Sequence, residues 1–124
     1  MTRVTGFGGA FVRANDPKSL SSWYEKHLGV RIEGGSFSFS NEAARGPIVV
    51  AFFARDADYF PFTQHAMLNF QVDDLEGVLA DLSERGVSVD PEREDSEYGR
   101  FGWFTDPEGN RVELWQPSNS EGSV

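Results

Sequence analysis

At 124 residues, 39% apolar and 25% charged, the chain has the size and make-up of one globular domain with a modest core. Its net charge of −9 repels phosphate backbones and argues against nucleic-acid binding, and the absence of cysteine removes disulfides, thiolate nucleophiles and cysteine-held metal centres. The longest apolar run, Ile48 to Ala54, is too short to span a bilayer, and no apolar segment follows Met1-Thr2-Arg3-Val4, so a cytoplasmic protein without membrane contact is expected.

Taken in order, the chain opens with Gly6-Phe7-Gly8-Gly9, which is no phosphate cradle because neither a helix nor a lysine follows it. An alternating strand runs through Phe11, and Asp16 then caps a helix with Pro17 at its first position. Leu20, Trp23, Tyr24 and Leu28 follow at helical spacing, and Gly29 supplies the stop. Strand-like sequence occupies 30–33, 36–40 and 47–54, and Asp56 to Gln64 reads as a linker. A strand through Phe70 and Val72 meets a second cap, Asp74, then an apolar stripe of Leu75, Val78, Leu79 and Leu82 before Gly86. Further strands are expected at 87–90, 100–105 and 110–116. Between them, Asp90 to Glu97 reads as a solvated acidic loop and Asp106-Pro107-Glu108-Gly109-Asn110 as a turn. Ser118 to Val124 reads as a fraying tail.

The pattern occurs twice. Asp16 and Asp74 lie 58 positions apart, and Gly29 and Gly86 lie 57 apart. Each copy is a strand, a helix and three strands, with module one at about 4–55, a linker at about 56–65 and module two at about 66–117. Together they make one domain over 1–117, with the ligand site between or inside the two sheets.

Trp23-Tyr24-Glu25-Lys26-His27-Leu28-Gly29-Val30 resembles the helix end, and Asp106-Pro107-Glu108-Gly109-Asn110-Arg111-Val112-Glu113-Leu114 the closing hairpin, of the vicinal oxygen chelate superfamily. That group holds glyoxalases, extradiol dioxygenases, fosfomycin-resistance enzymes and bleomycin-resistance proteins. The resemblance covers Phe7 to Gln116. It implies a glyoxalase-like α+β fold, two βαβββ modules forming a curled mixed sheet around a concave site. It also implies homodimers, and in the enzymes a divalent metal held by His, Glu or Gln from the first and last strand of each module.

The matching positions here are Gly9, the wholly apolar strand 48–54, Met67 and Glu113. Only Glu113 offers a ligand. His65, two residues before Met67, is the one other donor on that strand, and His27 near the helix end reads as a surface residue. No metal and no cofactor is therefore expected, and no nucleophile constellation or catalytic residue emerges.

Strand alternation sorts the remaining faces. Ala10, Val12, Ala14, Leu68, Phe70, Val72, Val112 and Leu114 are expected to pack on the helices, with Phe104 also in the core. Phe11, Arg13, Met67, Asn69, Gln71, Glu113 and Trp115 then face the concave side, with Arg111. Phe53 (or Phe52) and Trp103 (or Phe101) join them. Phe11, Arg13, Phe53, Met67, Asn69, Gln71, Trp103, Glu113 and Trp115 are the candidate ligand-binding residues. Glu113 reads as a vestigial ligand, an ion-pair partner of Arg13 or Arg111, or a carboxylate that recognises a cation.

The expected function is metal-independent binding of a small molecule of the glyoxalase/bleomycin-resistance type, and the −9 charge with the aromatic face favours a cationic or planar aromatic ligand. The alternatives are a metal-dependent lyase, isomerase or dioxygenase using Glu113, and a non-catalytic interaction module.

Overall fold

The computed structural model describes residues 3–28, 30–39 and 47–118, with backbone alone at 27 and 28. The stop expected at Gly29 and the tail beyond Ser118 lie outside the described residues, as does the side chain of His27. The elements are β1 (Val4–Ala14), α1 (Pro17–Leu28), β2 (Ser36–Phe39), β3 (Ile48–Ala54), β4 (Ala66–Val72), α2 (Leu75–Glu84), β5 (Ser88–Val89), β6 (Glu94–Ser96), β7 (Gly99–Thr105) and β8 (Arg111–Pro117).

These strands form one mixed sheet in the order β2-β3-β1-β4-β8-β7-β5, with β6 also pairing β7, and it does not close into a barrel. β1 and β4 run antiparallel at the middle. Outward from that seam the modules repeat the same scheme: β3 lies parallel to β1, and β8 parallel to β4. The next strand out, β2 or β7, then turns back antiparallel.

Local chemistry places the helices where the pattern put them. Asp16 accepts from the Ser19 amide at 3.1 Å and its hydroxyl at 2.9 Å, and Asp74 accepts from the Gly77 amide at 3.1 Å. The turn after β7 forms as its residues require. Asp106 Oδ1 accepts from the amides of Glu108 and Asn110, both at 2.9 Å, and Gly109 takes φ +89°.

The α2 side carries a core of Val72, Leu75, Val78, Leu79 and Leu114, with Phe70 and Phe104 packed against it. Each fully buried leucine there contributes roughly 1.5–3 kcal/mol. On α1, Tyr24 packs its ring on Phe37 at 5.9 Å and on Phe52 at 5.2 Å. Phe52 thus takes the helix side and leaves Phe53 for the other.

Four expectations need correction. Residues 30–33 form no strand; they reach β2 only through a single bridge from Glu33 to Ser36. The acidic loop is not wholly irregular, because Glu94–Ser96 pairs with β7. Leu68 is 45% exposed rather than packed on a helix, and Trp23 leaves the α1 stripe at 49% exposure.

The opposite face holds a second cluster of Phe60, Met67 and Trp103, joined by Phe11, Phe53, Tyr59 and Phe101. Phe60 and Tyr59 belong to the linker. Instead of bridging the modules through solvent, residues 55–64 fold over the concave face and cover it.

Arg13 holds them there. Its guanidinium reaches the carbonyls of Ala54 (3.4 Å), Arg55 (3.0 Å), Ala57 (2.9 Å), Pro61 (2.8 Å), Gln64 (3.0 Å) and Phe60. It also lies 4.4 Å from the Phe60 ring centroid. At the end of the linker, Gln64 mimics a strand: its amide bonds the N–H and the carbonyl of Arg111, each at 2.7 Å.

Candidate functional site

Strand registers align Val49, Gly9, Asn69, Glu113 and Trp103 across five neighbouring strands. Glu113, fully buried, sits in that row. Asn69 Nδ2 donates to its Oε1 at 2.5 Å, Trp103 Nε1 donates to Oε2 at 3.0 Å, and the Tyr59 hydroxyl donates to Oε2 as well. Neither Arg13 nor Arg111 pairs with it.

Burial pushes the Glu113 carboxyl above its ordinary value, more than these three donors pull it down. Tyr59 is pushed up too, first by burial and then by the carboxylate charge. A group held more tightly protonated in the folded state stabilises the fold below the ordinary carboxylate range and loses that contribution as pH rises through the folded value. The melting temperature of the parent protein minus that of Glu113→Gln should therefore fall as pH rises above the ordinary carboxylate range. Asp16, Glu76, Asp90 and Asp106, all shifted the other way by hydrogen bonds, are common to both proteins and cancel.

The residues at the metal positions do not fit a divalent cation. A Cβ on Gly9 would overlap the Val49 carbonyl oxygen, at a backbone φ of +133°. Met67 is sealed in the aromatic cluster, and the Glu113 oxygens already face three protons. His65 is exposed, and among the described residues no three His, Asp or Glu side chains converge on a common point.

The opening to solvent lies beside this row. A cleft of about 710 Å³ is lined by Asp58, Tyr59, Phe60, Pro61 and Phe62 from the linker, Asp90, Pro91, Glu92 and Glu94 from the acidic segment, and Trp103 and Arg111 from the sheet. Tyr59 and Trp103 line it and both donate to Glu113, which does not itself line the cleft. The Arg111 guanidinium lies 4.6 Å from the Trp103 ring centroid, and its Nη1 bonds Asp90 at 2.7 Å. The Glu92 amide and Arg111 hold the Asp90 carboxyl below its usual range.

Of the nine candidates, Trp103 lines the cleft. Phe11 and Phe53 stack at 5.2 Å beneath Tyr59, with Met67 in the same cluster. Arg13 is consumed by linker carbonyls. Asn69 and Glu113 form the buried network, and Gln71, 1% exposed, reaches only the Pro47 carbonyl at 3.4 Å. Trp115 stacks on Phe101 at 5.9 Å and donates to the Tyr98 carbonyl at 2.7 Å. The linker and the acidic segment, read from sequence as joint and surface, supply the other cleft walls. The available signal was Tyr59-Phe60-Pro61-Phe62, too aromatic for a solvated linker.

Comparison with known proteins agrees with this architecture. A methylmalonyl-CoA epimerase in complex with methylmalonyl-CoA and NH4+ matches at a TM-score of 0.77 and 16% identity, over 96% of this chain and 99% of that one. The Mycobacterium tuberculosis methylmalonyl-CoA epimerase gives 0.65 and 18%, over 98% and 93%. A superfamily member from Vibrio splendidus 12B01 gives 0.58 and 16%, over 94% and 99%. No curated protein matches in sequence. Residues 6–114 match the family model described as Glyoxalase/Bleomycin resistance protein/Dioxygenase superfamily, and the chain belongs to that superfamily.

Proposed function

We propose that the protein binds a small, flat, cationic molecule in the cleft between its linker and its acidic segment, without a metal. The observation that carries this reading is the wall chemistry: Tyr59 and Phe62 offer ring surface with the buried Phe60 and Trp103 rings behind them, and Asp58, Asp90, Glu92 and Glu94 surround it with carboxylates. The volume suits a ligand of drug size. The −9 net charge adds long-range attraction that falls with ionic strength.

A second reading, an acid–base enzyme, draws support from the epimerases of the same fold and from Tyr59, which lines the cleft and also touches Glu113. In that reading a proton moves between substrate and Glu113 by way of the phenol.

Thermal melting in low salt separates the two. At a hundredfold excess over its Kd, 9-aminoacridinium should add about 2.7 kcal/mol of stability, roughly 10 °C in melting temperature. Asp58→Asn combined with Glu92→Gln should weaken that response. Stabilisation by methylmalonyl-CoA and none by the cation would favour the enzyme, and no shift with 9-aminoacridinium at millimolar concentration overturns the binding reading.

A further inference from the structure

Resting on the cleft-binding reading, the geometry points to a particular role for Arg111: we propose that its guanidinium is a built-in occupant of the cleft's cation subsite, which a ligand must displace. The subsite consists of the Trp103 ring face and the Asp90 carboxylate. A flat cation needs both of these contacts, and Arg111 already makes them, at 4.6 Å and 2.7 Å.

The seat is imperfect for its own residue. Arg111 Nε is buried with no hydrogen-bond partner, so swinging the side chain outward returns that N–H to water. The backbone does not move with it. The Arg111 N–H and C=O are both fixed by the Gln64 amide, so the side chain pivots on an anchored residue. Nor is the displaced charge stranded, because Asp58, Glu92 and Glu94 all border the same cleft.

The ligand class follows from the seat. A guanidinium, an amidinium or a protonated or quaternised aromatic ring replaces both contacts, whereas a neutral ring loses Asp90. A flat anion would keep Arg111 in place and use it as its partner, the opposite role.

Calorimetric titration of the whole protein at low salt tests this with two three-ring probes of opposite charge, 9-aminoacridinium and anthracene-9-carboxylate. Arg111→Gln removes the competitor and leaves Asp90 uncompensated, so 9-aminoacridinium should bind about tenfold tighter than to the parent protein. Arg111→Lys keeps the charge but loses the flat fork, and should fall between the two. Because Gln64 holds only the backbone here, both variants should melt cooperatively near the parent temperature.

Equal or weaker cation binding by Arg111→Gln overturns the proposal and leaves the cleft reading intact. No 9-aminoacridinium binding by any of the three proteins overturns both. Binding of anthracene-9-carboxylate that Arg111→Gln abolishes also overturns both, since Arg111 would then be the group that recognises the ligand.

Discussion

Arg13→Met should destabilise the protein by about 3–5 kcal/mol, a large share of the roughly 5–15 kcal/mol that holds a domain of this size. The methionine fills similar space but donates nothing. Carbonyls of Ala54, Arg55, Ala57, Phe60, Pro61 and Gln64 lose a shared donor, and the loss costs most at the buried bonds to Phe60 and Gln64. Urea unfolding followed by tryptophan fluorescence measures the loss. Cleft binding should fail before the fold does, because that clamp holds the backbone that carries Tyr59, Phe60 and Phe62. Arg13→Lys should recover part of the stability, since an ammonium reaches fewer carbonyls than the guanidinium fork. A variant that melts like the parent and still binds 9-aminoacridinium would mean that the linker holds itself.

Gly9→Ala should cost roughly 3 kcal/mol or more, from backbone strain and from overpacking together. Its φ of +133° is open to glycine, and the added methyl would run into the Val49 carbonyl across the parallel β1–β3 pair. Thermal unfolding checks the size of the effect. The same geometry makes Gly9→His a poor route to a metal site, because the strand pairing that seats β3 excludes any side chain there. A Gly9→His protein that melts normally and takes up nickel would contradict this packing.

Much of the architecture was legible in the sequence because its causes are local or periodic. Asp16 and Asp74 cap the helices named from their spacing, the Asp106–Asn110 turn forms from its own side chains, and alternation puts Leu114 on one face and Glu113 on the other. The linker was not legible. Its path depends on Arg13 meeting carbonyls 41 to 51 positions away, and backbone acceptors leave no residue-type signature. Glu113 shows the same limit. Its face followed from parity, but its partners Tyr59 and Trp103 come from the linker and from β7, which the alternation of β8 alone does not reach, so three roles for it stood open. The 30–33 segment failed for another reason. Gly34 and Gly35 take positive φ of 61° and 87°, turning the chain there and leaving one bridge between Glu33 and Ser36 in place of a strand.

On the proposed reading, the cleft holds a cation and Glu113 holds no metal. The indole N–H of Trp103 reports on both, because it donates to Glu113 while the ring lines the cleft. Its NMR resonance, assigned through Trp103→Phe, should shift saturably with 9-aminoacridinium and stay unchanged with a stoichiometric divalent ion such as nickel. A resonance that is silent to the cation but broadened by one equivalent of metal would overturn the cation reading.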